Sequence, residues 1–281
     1  MIKIAIPVNF RHTKPSYGKL IGLHSICSTY YSCHSHSFDP MPRFYIPNSL
    51  EIGSHLALPE SVAHHIQVLR LALGTPITLF NGGGGEFTAT IISIEKKRVS
   101  VEIKTFSPRE AELPYAITLA QALPESSKLD WIIEKAVELG AAGIQPLSAQ
   151  RCVVRFSSDR VEKKQAHWQA VIVAAAEQSG RNRLPHLAPL TSLNEWLGQQ
   201  DLHKRIILSP RGEESLSNWA RHQPPQSVAL LIGPEGGFTE LEERAACAQG
   251  ALMLSMGARI LRTETAGLAA LAAINGIWGE M

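Results

Sequence analysis

The sequence has few cysteines and no long apolar run. In its 281 residues no uncharged apolar stretch approaches the roughly 20 residues that cross a bilayer. The longest apolar segment, AGLAALAAINGIWG near the C-terminus, is short and rich in small residues, so we interpret it as a buried helix. The four widely separated cysteines imply no disulfide framework, and a reducing cytoplasm is the expected compartment.

The sequence also has little excess of positive over negative charge. The formal net charge is only +2 at pH 7, and the excess of lysine and arginine lies within residues 1–40, so the rest of the chain is nearly neutral. Overall charge therefore gives no indication of nucleic-acid binding. If this chain binds RNA, a local basic face must do so.

Common phosphate-binding motifs are missing. The sequence contains no G-x-x-x-x-G-K-[ST], which excludes a P-loop, and no G-x-G-x-x-G follows a predicted strand. Two other glycine-containing loops follow apolar runs, GPEGG at 233–237 and GARILRTET at 257–265. With no cationic partner beside it, the loop around Glu235 suits a neutral or cationic ligand better than a triphosphate. Alternatively, Glu235 only favours the start of the next helix through the helix dipole.

Residues 1–40 form a weakly patterned segment. The run HSICSTYYSCHSH offers His24, Cys27, Cys33, His34 and His36 as zinc ligands, but their spacing matches no common zinc finger, and we predict no metal site. No continuous apolar region typical of a secretory signal is present. Because MPRFYIP at residue 41 is a natural start, we expect 1–40 to be an extension that is disordered or not translated.

The remaining sequence changes character near residue 110. Residues 41–110 contain short β-branched runs, a glycine turn at 82–85 and one helical segment, which indicate a small β-barrel. Residues 113–281 alternate short apolar strands with amphipathic helices, one of which begins with a capping box at Thr239 and Glu242. This alternation predicts an α/β fold with a parallel sheet and helices on both faces.

Both glycine loops follow predicted strands, and ligands of open α/β sheets bind beyond the carboxyl ends of strands. The segments GPEGGFTELE and MGARILRTETA, together with EKAVELGAAGIQPLSAQRC and AAEQSGRNRLP, resemble the bacterial small-subunit ribosomal RNA methyltransferase E family. The resemblance covers residues 41–281 and leaves out 1–40.

The resemblance implies both a fold and an activity. The fold is α/β, a SPOUT-type trefoil-knotted methyltransferase domain with an N-terminal PUA-like β-barrel that binds RNA. The activity is S-adenosylmethionine-dependent methylation of uridine N3 in 16S rRNA of the small ribosomal subunit, by a cytoplasmic homodimer without membrane segment or metal. Two alternatives stay open: a SPOUT ribose 2′-O-methyltransferase acting on tRNA or rRNA, and a non-catalytic RNA-binding assembly factor.

The resemblance further implies a cofactor pocket built largely from main-chain groups of the two loops, which makes a lysine unnecessary. The role of Glu235 in that pocket is left open. The residues expected to bind S-adenosylmethionine are Ile232, Gly233, Pro234, Glu235, Gly236, Gly237, Met256, Gly257, Leu261 and Ala266.

Methylation at N3 requires loss of the N3 proton, so we expect a general base and a cation that stabilises the uracil anion. Arg262 is the candidate cation, and Glu264 or Glu177 the candidate base. Arg262 and Glu264 could instead pair with each other, and Glu177 could be a helix-surface carboxylate. The candidates for RNA contact are Arg43, Arg70, Lys96, Lys97, Arg98, Arg151, Arg155, Arg181 and Arg183, although the run at 96–98 could be only a solvated turn.

Overall fold

The computed structural model describes residues 41–96, 98–125, 128–199 and 203–279. Residues 1–40 lie outside this set, and so do the expectations placed on them, namely the extension and the zinc ligands considered there. Lys97 lies outside it as well. Among the described residues, no helix is long and apolar enough to cross a membrane.

The N-terminal part is a five-stranded sheet with one helix. The strand order is β1-β3-β4-β5-β2, with antiparallel pairing everywhere except between β1 and β3. Positive φ angles at three of the four glycines of 82–85 make the tight connection between β3 and β4. The elements are β1 (Arg43–Tyr45), β2 (His55–Ala57), α1 (Glu60–Val68), β3 (Pro76–Phe80), β4 (Glu86–Ile94) and β5 (Val99–Ser107).

This sheet and α1 enclose a core of their own. Phe44, Ile77 and Val101 come from three different strands and are fully buried, and α1 adds Ala63 and Ile66. The alternation of β-branched and polar residues in β4 and β5 places one face of each strand on this core.

The C-terminal part is a parallel sheet covered by helices. Its order is β11-β13-β10-β12-β6-β7-β8, with β9 paired to β7. The strands are β6 (Ile117–Ala122), β7 (Gly143–Ser148), β8 (His186–Leu187), β9 (Thr191–Ser192), β10 (Lys204–Leu208), β11 (Glu214–Ser215), β12 (Val228–Ile232) and β13 (Leu252–Ser255). The helices are α2 (Lys128–Glu138), α3 (Ser158–Ser179), α4 (Leu193–Leu197), α5 (Leu216–Arg221), α6 (Glu240–Ala248) and α7 (Thr263–Trp278).

Local sequence explains most of these elements. Strand β12 reads VALLI and is buried along its whole length, as expected for a central parallel strand covered on both faces. Helix α6 begins with the predicted capping box, in which Thr239 and Glu242 exchange side-chain and backbone hydrogen bonds. Helix α3 ends at Gly180, whose φ of +77° is the left-handed conformation that terminates helices.

The chain crosses itself at the C-terminus. Strand β13 pairs with β10 on the side away from β12. Helix α7, which follows β13, nevertheless packs against β12 and β6. Residues 256–262 must therefore pass across the end of β10, which brings the loop after β13 next to the loop after β12.

The two sheets are joined by hydrogen bonds of a partly buried junction. Arg43 of β1 donates to Glu86 at 2.6 Å and to the side-chain carbonyl of Asn182 at 2.6 Å. The backbone N–H of Tyr45 donates to Glu177 of α3 at 2.9 Å. The prediction that Arg43 contacts RNA therefore needs correction, because its guanidinium is engaged within the protein.

Arg181 also belongs to the interior. Its side chain is only 4% exposed, and it donates to the carbonyls of Val137 and Ala141 at 3.1 and 2.7 Å. Its remaining donors form a two-pronged ion pair with Glu112. A guanidinium buried among these partners is out of reach of a phosphate, so the prediction that Arg181 contacts RNA needs correction as well.

We expect Arg181→Met to lower the free energy of unfolding by about 3–5 kcal/mol, because it leaves Glu112 and two carbonyls without their cation. Arg183→Met is the matched control, since the Arg183 side chain is 52% exposed, and it should change stability by less than about 0.5 kcal/mol. Urea denaturation of both variants measures the difference. Equal effects would contradict a structural role for Arg181.

Candidate ligand pocket

The loops that follow β12 and β13 form one wall of a pocket of about 440 Å³. Eight of the ten residues predicted to bind a cofactor line this pocket, whereas Met256 and Gly257 do not. The eight are Ile232, Gly233, Pro234, Glu235, Gly236, Gly237, Leu261 and Ala266. Residues not anticipated from the sequence complete the wall, among them Lys128, Arg151, Leu208, Pro210, Arg211, Phe238 and Glu243.

Backbone geometry explains the glycines of the first loop. A Cβ atom on Gly233 would lie 2.9 Å from the backbone nitrogen of Phe238, too close for any other residue without a backbone shift. Gly237 has a φ of +65°, a conformation that favours glycine. The tight path of this loop therefore depends on glycine at both positions.

A buried hydroxyl holds the two loops together. Thr263 Oγ1 donates to the carbonyl of Gly233 at 2.6 Å and accepts from Gln121 Nε2 at 3.0 Å. Gln121 is fully buried in β6, so this contact joins β6, the end of β12 and the start of α7. The pocket wall is thereby fixed from three elements that are distant in sequence.

The carboxylate of Glu235 has a cationic partner, which the sequence analysis did not anticipate. Its Oε1 atom accepts from Lys128 Nζ at 2.8 Å and from the backbone N–H of Glu125 at 3.0 Å. Burial alone would raise the pKa of Glu235, but these hydrogen bonds outweigh burial and lower it. The expectation of a loop without a cation is wrong because Lys128 lies 107 positions earlier in the chain. Glu235 thus connects the glycine loop to the segment between β6 and α2.

Two further cations of the pocket are engaged. Arg151 Nη1 donates to the carbonyl of Gly236 at 2.7 Å, which holds the glycine loop from outside. Arg211 Nε donates to the buried carboxylate of Glu243 at 2.8 Å. Arg151 is nevertheless exposed, so its contact to RNA stays a prediction.

Arg262, the candidate cation, and Glu264, a candidate base, both lie in the pocket wall. The Arg262 side chain is 84% exposed and that of Glu264 is 18% exposed, with 3.9 Å between Arg262 Nη1 and Glu264 Oε1. Lys128 Nζ lies 3.8 Å from Glu264 Oε2, beyond hydrogen-bonding distance. Among the described residues, no hydrogen-bond donor reaches the buried Oε2 atom of Glu264. Glu264, which lines the pocket, therefore has one carboxylate oxygen that accepts no hydrogen bond from the described residues.

Glu177 lies elsewhere. Its carboxylate accepts from Tyr45 at the junction of the two sheets and is not part of the pocket wall. Burial raises its pKa, and the Tyr45 hydrogen bond only partly opposes this. The structure thus does not bring Glu177 together with Arg262 and Glu264, and the prediction of a base at Glu177 needs correction.

The other predicted RNA contacts are exposed. Arg70 follows α1 with a positive φ of 54°, and Lys96 and Arg98 flank the turn between β4 and β5. Arg155 is exposed beside a second cavity of about 760 Å³, which the sequence did not indicate. Arg183 is exposed and lies 3.5 Å from Glu110. Their contact with RNA stays a prediction, and none of them lines the ligand pocket.

Comparisons with known proteins agree with this architecture. Residues 111–275 match a model described as an RNA methyltransferase domain, and residues 58–104 match an RNA methyltransferase PUA domain. The chain is 36% identical over 223 residues to ribosomal RNA small subunit methyltransferase E of Bacillus subtilis, covering 77% of this chain and 87% of that protein. It is 30% identical over 243 residues to the protein of the same name from Buchnera aphidicola of Schizaphis graminum, covering 86% and 98%.

Solved structures give the same result. A putative methyltransferase from Legionella pneumophila, in complex with bound SAM, superposes with a TM-score of 0.80 at 38% identity and covers 84% of this chain and 97% of its own. Ribosomal RNA small subunit methyltransferase E from Neisseria gonorrhoeae, bound to S-adenosyl methionine, has a TM-score of 0.80 at 38% identity, with coverage of 85% and 98%.

We expect Glu235→Gln to reduce the free energy of unfolding at neutral pH. Because the folded-state pKa of Glu235 is lowered, its ionised form stabilises the fold above the ordinary value of 4.5. This contribution is lost as the pH falls through the lowered pKa, so wild type and variant should converge in acid. Urea denaturation across this pH range measures the difference. The exposed Glu213→Gln is the control, and a gap that persists unchanged in acid would contradict the assignment.

Proposed function

We propose that this protein methylates N3 of a uridine in 16S rRNA, with S-adenosylmethionine as donor. The proposal starts from the finding that the chain belongs to the ribosomal RNA small subunit methyltransferase E family. The observation that carries the proposal is the pocket at the ends of β12 and β13, where a glycine-rich backbone adjoins an uncommitted carboxylate and an exposed arginine.

The fold is that of the SPOUT methyltransferases, with a PUA domain before it. In this fold the return of residues 256–262 across β10 is part of the trefoil knot, a rare arrangement that sequence periodicity does not reveal. We place the PUA-like domain at residues 41–110, the methyltransferase domain at 113–281, and the extension at 1–40.

The pocket fits a nucleoside bearing a positive charge. The absence of side chains at Gly233 and Gly237 lets an adenosine approach the main chain of this loop closely, and no phosphate-binding cluster is required. The partly exposed apolar side chain of Leu261 offers surface for the adenine. When bound, S-adenosylmethionine supplies a methyl group activated by its sulfonium. We propose the eight pocket residues as its binding site, and the role of Met256 and Gly257 stays a prediction.

The uridine must lose its N3 proton before it can be methylated. This proton points in the same in-plane direction from which the new bond to N3 has to form. We propose that Glu264 accepts it, because its buried Oε2 atom is the acceptor in the pocket that no described donor reaches. Arg262, exposed at the rim, stabilises the resulting uracil anion through charge placed where negative charge develops.

The RNA contacts and the oligomeric state are also proposals. The PUA-like domain and the exposed arginines Arg70, Arg98, Arg155 and Arg183, with Lys96, provide phosphate contacts to the small-subunit RNA. We propose that the enzyme acts as a cytoplasmic homodimer.

Digestion of methylated rRNA and identification of the nucleoside tests the activity: 3-methyluridine supports it, whereas a 2′-O-methylated nucleoside or no product overturns it.

We expect Gly233→Ala to weaken S-adenosylmethionine binding about tenfold or more, because the added Cβ atom would displace the backbone of Phe238. Gly236→Ala is the matched control, since a Cβ there would meet only the flexible side chain of Arg151, at 3.3 Å. Titration calorimetry on both variants gives the affinities. Equal affinities in the two variants would count against the proposed pocket.

We expect Arg262→Ala to reduce kcat about 100-fold while the dissociation constant of S-adenosylmethionine stays close to wild type. The reason is that Arg262 acts on the negative charge that develops on the base, and its exposed side chain contributes little to the fold. Arg259→Ala, in the same exposed loop but outside the pocket wall, should leave kcat unchanged. A similar loss of kcat in both variants would remove Arg262 from the mechanism.

A further inference from the structure

One face of α3 carries a cluster of positive charge that none of the assignments above uses. Residues at the i, i+3, i+4 and i+7 positions of a helix lie on the same side. A cavity of about 460 Å³ is lined on that side by Arg160, Lys163, Lys164 and His167, and on the other by Val154 and Phe156. We call Arg160, Lys163 and Lys164 the α3 basic face.

Folding does not explain this face. In the described part of the chain, no carboxylate forms an ion pair with Arg160, Lys163 or Lys164, although Asp159 and Glu162 are neighbours in sequence. Like charges at i+3 and i+4 destabilise a helix. His167 differs, because its Nε2 atom lies 2.9 Å from Asp130. The three unpaired cations are therefore suited to a partner that brings negative charge.

The opposite wall indicates what kind of partner fits. Phe156 is only partly buried, and its ring meets Trp168 at a tilt, with 6.2 Å between the ring centroids. Aromatic rings beside a row of cations are typical of sites for single-stranded nucleic acid, where bases stack and the backbone follows the charge. An acidic polypeptide would use the cations but would gain little from the ring.

The cavity also connects to the ligand pocket through one segment of chain. Val154 and Phe156 line both this cavity and the cavity of about 760 Å³, which Arg155 borders. Arg151, a few residues earlier, lines the ligand pocket. Residues 151–156 thus run between the pocket and the α3 basic face.

We propose that the α3 basic face and Phe156 bind a single-stranded stretch of RNA next to the target uridine. Phosphates contact Arg160, Lys163 and Lys164, and one base stacks on Phe156. The inference rests on the proposed function and extends it by naming where RNA beyond the target nucleotide is held.

The test compares two triple variants of the full-length protein. Arg160→Ala/Lys163→Ala/Lys164→Ala removes the face, and Lys204→Ala/Arg221→Ala/Arg244→Ala removes three exposed cations elsewhere. Binding of a short oligouridylate is measured over a range of salt. We expect the first variant to bind about tenfold or more weakly, with a salt slope reduced by roughly 2, since each lost phosphate contact to a single strand lowers it by about 0.7. The second should resemble wild type.

Phe156→Leu provides the second readout, because leucine keeps apolar volume against Trp168 but has no face for stacking. We expect about fivefold weaker binding of oligouridylate and unchanged binding of oligoglutamate. Equal loss in both triple variants, or no loss in the first, overturns the inference. So does wild-type affinity for oligouridylate in Phe156→Leu, which would leave an acidic polypeptide as the partner.

Failure of this inference is distinguishable from failure of the proposed function. Absence of methyl transfer to 16S rRNA by the wild-type protein would overturn the proposed function. Normal transfer by wild type, with an unchanged KM for RNA in the first triple variant, would overturn only the role of the α3 basic face. Calorimetry with S-adenosylmethionine confirms in each variant that the ligand pocket is intact.

Discussion

The pocket depends on one hydroxyl group. Thr263 has a single proton to donate, which goes to the carbonyl of Gly233, and it accepts the amide of Gln121 in return. The Gly233 carbonyl and the buried Gln121 amide are both bonded to this hydroxyl. Loss of the hydroxyl would leave each of them without this hydrogen bond. This contact sets the start of α7 against the end of β12. The positions of Leu261, Arg262 and Glu264 in the pocket wall follow from it.

Charged groups divide into those that hold the structure and those that remain available. Lys128 pairs with Glu235, Arg211 pairs with Glu243, and Arg43 and Arg181 both donate to partners inside the protein. Glu264 and Arg262 are not committed to the same degree, since no described donor reaches Glu264 Oε2 and Arg262 projects into solvent. The chemistry we propose uses only this second group. Residues near one another in sequence can thus differ in environment: the Arg181 side chain is buried and supports the fold, whereas the Arg183 side chain is exposed beside Glu110.

The sequence was sufficient to predict structural elements that depend on a single short segment. The capping box of α6, the glycine turn after β3 and the apolar strand β12 are all local features, and the structure contains them. The order of the parallel strands is not local, so nothing in the sequence placed Lys128 beside Glu235. The same holds for the contacts of Arg43 with Asn182 and of Glu177 with Tyr45, which join the two domains. The family resemblance supplied the knot, because a crossing of the chain leaves no periodic pattern.

The position of the crossing has a consequence for biosynthesis. Gln121, Gly233 and Thr263 are separated by more than a hundred positions overall, so the pocket requires contacts of very high sequence separation. Such contacts are slow to form, and domains fold from the N-terminus as the chain is made. The PUA-like sheet can assemble while the rest is still being translated. The ligand pocket is complete only after the last helix has emerged, so a chain truncated before residue 263 would retain the PUA-like sheet but lack the pocket residues of α7.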